Sequence, residues 1–199
     1  MRFSSVFALA TLVFAGFANA SITPVLSSVS TSGSPYIWSY YITVDPSEQL
    51  APGTYSNCLD GTACGTFFTI YDFVGYDGGI AAPTGWMGSV QLTGETPNVN
   101  GCCDPTDSGS VTNLVFNYTG TSTQVGTGMP IAGFTALSLY GETTTDTGLF
   151  SYQAQKITGT PDAGVGNLTV PIGIPEPTSM VLIGGGLIGL AFFRRKLAR

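Results

Sequence analysis

The chain has 199 residues, room for one ordinary domain, and only 9% of them are charged, far below the usual quarter of a soluble domain; aromatic residues at 12% still argue for a packed core. Histidine is absent, which excludes Ser-His-Asp and Cys-His catalysis and every His-ligated metal site. Between residues 21 and 175, Lys156 is the one base against eleven acids, a formal charge of −10, so the basic face that nucleic acid requires is missing and that class of partner is excluded.

Residues 1–20 read MRFSSVFALATLVFAGFANA. Arg2 supplies a short positive start, an apolar run follows, and Ala18-Asn19-Ala20 forms an A-x-A cleavage site. This is the layout of a secretory signal helix, with the mature chain starting at Ser21.

The body then reads as strands between turns. Residues 22–30 are a first candidate. Residues 36–44, YIWSYYITV, and 66–74, TFFTIYDFV, are β-branched and aromatic, as pleated surfaces prefer. Further strands are expected at 87–93, 110–119, 131–140, 148–158 and 167–172; in the second of these, Leu114, Phe116 and Tyr118 alternate with Val115 and Asn117, the period of a strand. Turn signals separate them at Asp45-Pro46, Pro52-Gly53, Asp60-Gly61, Asp77-Gly78-Gly79, Asp104-Pro105 and Thr127-Gly128. Seven to eight short strands so spaced predict an all-β, antiparallel β-sandwich, with a jelly roll as one form of it. The body is expected over 21–157, and the Gly/Pro/Thr-rich stretch 158–174 is expected as a spacer.

Four cysteines, Cys58, Cys64, Cys102 and Cys103, in an exported chain imply disulfides. Three connectivities are open. A bridge between the neighbours Cys102 and Cys103 is strained, which favours links between the 58–64 and 102–103 segments over the pairing that includes Cys58–Cys64. No C-x-x-C or zinc spacing is present. Asp72, Asp77, Glu95, Asp104, Asp107, Glu142 and Asp146 are candidate acids for carboxylate chemistry on a sugar, and Asp104 and Asp107 for a calcium ion. Most stand beside Gly, Pro, Ser or Thr, where turn chemistry explains them. Among the aromatics, Trp38, Tyr40, Tyr41, Trp86 and Tyr118 are candidates for stacking on sugar rings; Trp38 is expected in the core, because it sits in mid-strand.

The C-terminal stretch 175–199 reads PEPTSMVLIGGGLIGLAFFRRKLAR. Pro175, Glu176 and Pro177 stop any strand before them. The uncharged run 178–193, which contains Val181, Leu182, Ile183, Leu187, Ile188, Leu190, Phe192 and Phe193, measures about 24 Å as a helix, slightly short of a hydrocarbon core of about 30 Å. Arg194, Arg195 and Lys196 mark its cytoplasmic end.

The PEP tripeptide, the short Gly-rich apolar span and the basic end, in that order, closely resemble the PEP-CTERM protein-sorting domain. The resemblance implies recognition of Pro175, Glu176 and Pro177 by exosortase, a membrane protease-transpeptidase. It implies a transmembrane helix held by Arg194, Arg195 and Lys196 in the inner membrane until processing, and a Gram-negative, exopolysaccharide-producing host. The function expected is therefore that of a non-enzymatic surface or extracellular-matrix protein, associated with exopolysaccharide or biofilm and needing no cofactor. The rivals are a carbohydrate-binding module and a carboxylate-dependent glycoside hydrolase.

Overall fold

In the computed structural model, residues 21–31, 33–53, 65–97, 103, 105–144 and 148–173 are described. They form twelve strands: β1 Ile22–Ser30, β2 Tyr36–Val44, β3 Glu48–Leu50, β4 Phe67–Ile70, β5 Trp86–Gln91, β6 Asn113–Tyr118, β7 Gln124–Val125, β8 Pro130–Ser138, β9 Thr143–Thr144, β10 Leu149–Lys156, β11 Pro161–Asn167 and β12 Val170–Pro171. No helix occurs among these residues, and every strand pair is antiparallel. The all-β expectation thus holds for the body. The signal helix and the C-terminal transmembrane helix expected at the two ends lie outside the described residues.

One sheet runs β1-β2-β8 and the second β5-β6-β4-β10-β3-β7, with β11 added to β10; β9 and β12 pair separately. Strand β2 shows why the sheets face each other. Trp38, Tyr40, Ile42 and Val44 are buried at every second position, so one face of the first sheet is continuously apolar. Opposite it the second sheet presents Phe68, Ile70, Leu114, Phe116, Phe150 and Tyr152, all in the same core cluster. Phe134 of β8 closes the gap. Its ring lies 5.1 Å from Phe68, 5.2 Å from Phe116 and 5.3 Å from Trp86, edge to face in each case, the arrangement aromatic quadrupoles favour. The exposed edge of β8 is shielded in turn by the segment 75–81, which bridges to it at Tyr76↔Ser138 and Ala81↔Thr135 and removes a free pairing edge.

Two sequence expectations are corrected. The strand expected over 66–74 ends at Ile70, because Asp72 adopts a left-handed φ of 52° that cannot continue a pleat. The expected spacer over 158–174 is largely strand. Residues Pro161–Asn167 pair with β10 from Gln155 back to Leu149, whereas Val170–Pro171, which pair with β9, fall within the strand expected over 167–172. Its glycines serve the pairing: Gly164 stands opposite Tyr152 and Gly166 opposite Phe150, and each lies beneath the facing ring.

Candidate functional site

Four chain segments converge on a cleft of about 520 Å³ at one end of the second sheet. Ile22 is wholly buried, which draws the residue before it, Ser21, against β10. There the Ser21 carbonyl accepts from the Asp45 amide at 2.9 Å, and the Ser21 amide donates to the Tyr152 hydroxyl at 3.1 Å. The β2–β3 turn brings Asp45, whose Oδ1 accepts from the Ser47 amide at 2.8 Å and hydroxyl at 2.6 Å. That local turn places Glu48 as the first residue of β3. Because β3 alternates, Glu48 faces inward with Leu50. The β10–β11 hairpin turns at Gly159, φ 89°, a conformation glycine adopts without steric cost. Lys156 and Asp162 meet across it at 3.6 Å.

The electrostatics of this cleft are unbalanced. Asp45, Glu48 and Asp162 stand against Lys156 alone. Glu48 is only 3% exposed, and its Oε2 has no hydrogen-bond partner. Burial, reinforced by Asp162, pushes its carboxyl up to about 7, against the pull of Lys156 and the Ser21 hydroxyl. The Tyr152 phenol is raised chiefly by burial as well; it also donates to Asp162 Oδ2 at 3.1 Å. The Ser47 hydroxyl and amide hold the Asp45 carboxyl below its ordinary value. Such a cleft suits a buried cation better than it suits an anion or a neutral sugar.

The sequence did not single out Glu48, Tyr152 or Asp162. The signal was available: Lys156 is the body's one base, and Asp162 lies six residues on, across Thr158-Gly159, a hairpin offset.

The acids singled out from sequence scatter. Asp72 and Asp107 come together around Asn113: Asp72 accepts from the Ser108 amide at 3.2 Å, and Asp107 from Gly94 N and Asn113 Nδ2, both at 2.9 Å. Burial raises Asp72, with Asp107 adding to it. Asp107 is thus committed to loop hydrogen bonds, and among the described residues no group of three His, Cys, Asp or Glu is placed to hold a metal ion. Glu95 packs over the outer face of the second sheet. Its carbonyl accepts from Thr69 Oγ1 at 2.7 Å and the Tyr71 hydroxyl at 2.8 Å, and burial raises its carboxyl. Asp77 and Glu142 are exposed elsewhere. Asp104 and Asp146 lie outside the described residues.

Of the aromatics, Trp38, Tyr40, Trp86 and Tyr118 are buried in the core, and Tyr41 is half-buried. Trp38 is where the sequence placed it, its Nε1 donating to the Tyr140 carbonyl at 2.9 Å. Trp86 and Tyr118 reach the floor of a second cleft of about 560 Å³ beside Thr84, Thr119 and Gln124, but their rings are turned into the core. Cys103 is not a free thiol. Cys58, Cys64 and Cys102, the cleavage residues Ala18 and Ala20, and Pro175 through the basic cluster Arg194, Arg195 and Lys196 lie outside the described residues.

Beyond the body, residues 173–196 match the PEP-CTERM protein-sorting motif. The motif marks the chain for export to the cell envelope and for sorting by exosortase. No curated protein matches the chain.

Proposed function

We propose that this chain is an exported surface or extracellular-matrix protein whose body is non-enzymatic and is delivered by exosortase. The sorting motif over 173–196 carries the reading. In it, cleavage after Ala20 leaves Ser21 as the first residue of a β-sandwich body. Pro175, Glu176 and Pro177 are the exosortase recognition site. Val181, Leu182, Ile183, Leu187, Ile188, Leu190, Phe192 and Phe193 hold the chain in the inner membrane, with Arg194, Arg195 and Lys196 on the cytoplasmic side, until processing. The body then joins the exopolysaccharide of the cell. Its cysteines are disulfide-bonded, a reading supported by the oxidising compartment and by Cys103 not being free. The absence of histidine supports a role without catalysis.

A carbohydrate-binding role is a second reading, favoured by the hydroxyl-lined cleft at Trp86 and Tyr118. A glycan array probed with the exported protein tests it: binding that a Trp86→Ala change leaves untouched would place any sugar site elsewhere.

The sorting reading is tested by replacing Pro175, Glu176 and Pro177 with alanine in the full chain. Intact-mass analysis of fractionated cells should find wild type in the envelope without Arg199, and the variant in the inner membrane with it. Wild type that keeps Arg199 would make the tail a plain anchor.

A further inference from the structure

We propose that removal of the signal peptide creates the ligand of the acidic cleft: the new α-ammonium of Ser21 docks between Glu48 and Asp162 and locks the mature body. The inference rests on the signal-cleavage part of the proposed function and goes beyond it.

Position comes first. The Ser21 nitrogen is held at the cleft wall in the uncleaved chain, 3.1 Å from the Tyr152 hydroxyl. The Ser21 hydroxyl lies 2.9 Å from the same phenol and donates to Asp162 Oδ2. With the Asp45 amide on its carbonyl at 2.9 Å and Ile22 sunk in the core, the residue has little room to move.

Valence comes second. A peptide nitrogen offers one hydrogen and no charge, and here that hydrogen goes to Tyr152. Hydrolysis of the Ala20–Ser21 amide consumes one water. The carboxylate leaves on Ala20, and the amine stays on Ser21 and takes up a proton. The nitrogen then carries three donors and a positive charge in a cleft where Lys156 alone faces three carboxyl groups. Glu48 Oε2 is buried with no partner, and removal of a buried carboxylate from water is favourable only when it is paired. Lys156, opposite Glu48 across the β10–β3 pair, meets that need only in part: it pulls on the Glu48 carboxyl, but it is half-exposed and held by Asp162 at 3.6 Å. Ammonium and carboxylates inside one cleft stabilise each other's charged forms, so docking reverses the burial effect that raises Glu48 in the uncleaved chain. The titratable groups facing the amine are then Asp45, Glu48, Tyr152, Lys156 and Asp162. The consequence is directional: the precursor is the looser form, and the body tightens once the signal peptide is gone.

The test uses the processed protein recovered from the cell envelope. Intact mass first establishes the start; a start other than Ser21 overturns the inference and the cleavage reading together. An N-terminal serine carries the 1,2-amino alcohol that periodate cleaves, and both reacting groups are in the cleft. Native protein should be oxidised at least about tenfold more slowly than protein in urea, because reaction waits for local opening. Its α-amine, followed by acylation rate against pH, should titrate above the ordinary range of about 7.7–8.0. Glu48→Gln should bring the titration back towards that range and speed the oxidation. Should that variant fail to fold, the wild-type titration decides alone. A Ser21 start with equal oxidation rates in native and unfolded protein, or with an amine titrating at or below the ordinary range, overturns the docking and leaves the cleavage reading standing.

Discussion

Gly164 lies directly beneath the ring of Tyr152: a Cβ added to it would stand 2.5 Å from Cε1 of that ring. The ring cannot swing away, because its hydroxyl is engaged by Ser21 and Asp162. Gly164→Ala is therefore expected to cost about 1–3 kcal/mol, the range for overpacking a filled site. Gly166→Ala should behave alike, since its Cβ would meet the Phe150 ring at 2.6 Å. Gly109, with nothing within 4 Å of an added Cβ, is the control and should stay within about 0.5 kcal/mol. Urea unfolding of the three variants checks this; equal effects would mean that strand β11 is not seated as described.

These glycines also explain what was legible in the sequence and what was not. The bounds of β1 and β2 were readable from the sequence, β2 because it is β-branched and aromatic throughout and ends at the Asp45-Pro46 turn. Strand β11 was not. Its Gly164 and Gly166 look like spacer composition until the rings of Tyr152 and Phe150 are seen to fill the missing side-chain volume, a cross-strand relationship that no local window contains. The cleft was hidden for a related reason. Ser21, Glu48, Tyr152 and Asp162 come from four segments: the pairing of β10 with both β3 and β11 brings the last three together, and the burial of Ile22 and the Asp45 amide bring in Ser21. The C-terminal motif needed no fold at all, since its order of PEP, apolar span and basic end is linear.

Phe134 is the keystone between the two sheets, wholly buried and within 5.3 Å of three rings. Phe134→Ala should destabilise the body by about 3–5 kcal/mol through the cavity it leaves. Phe134→Leu, which keeps most of the volume, should cost clearly less. Thermal unfolding of both variants tests the order, and a reversed order would contradict a shared core.

Glu95 sets a pH dependence with a definite sign. Burial raises its carboxyl in the folded body, while the unfolded chain titrates at the ordinary value. The folded state therefore holds the proton more tightly, and the contribution is a stability present below the ordinary carboxylate range and lost as pH rises through the folded value. Glu48 and Asp72 are raised too, whereas Asp45 is lowered and acts in the opposite sense. The difference in urea midpoint between wild type and Glu95→Gln should thus shrink on going from about pH 7.5 to about pH 4.5. A constant difference across that range would remove Glu95 from the pH response.

Thiol titration of the exported protein under denaturing, non-reducing conditions should find no reactive cysteine among Cys58, Cys64, Cys102 and Cys103. Reduction should then lower stability by about 2–4 kcal/mol for each bridge opened. Four reactive thiols before reduction would leave the 58–64 and 102–103 segments unlinked.

The placement of the acids argues against catalysis. Glycoside hydrolysis needs two carboxyl groups on opposite sides of a sugar, about 5–5.5 Å apart for retention or about 6.5–9.5 Å for inversion. Asp77 and Glu142 are exposed, and Asp107 is committed to the Gly94 amide and to Asn113. Glu48 and Asp162 share a cleft, and a carboxyl pushed up to about 7 would suit a general acid. Glu48, however, is 3% exposed, and a docked Ser21 ammonium would fill the space that a sugar needs. Incubation of the exported protein with the polysaccharide of its own cell should therefore yield no new reducing ends, and Asp77→Asn, Glu95→Gln, Glu142→Gln and Glu48→Gln should leave that result unchanged. Turnover in wild type that Glu48→Gln alone abolishes would make the cleft an active site. Turnover that Asp77→Asn or Glu142→Gln abolishes would move the chemistry to the exposed loops. Either result would end the non-enzymatic reading, because with no histidine in the chain carboxylates are the general acids and bases left to carry it.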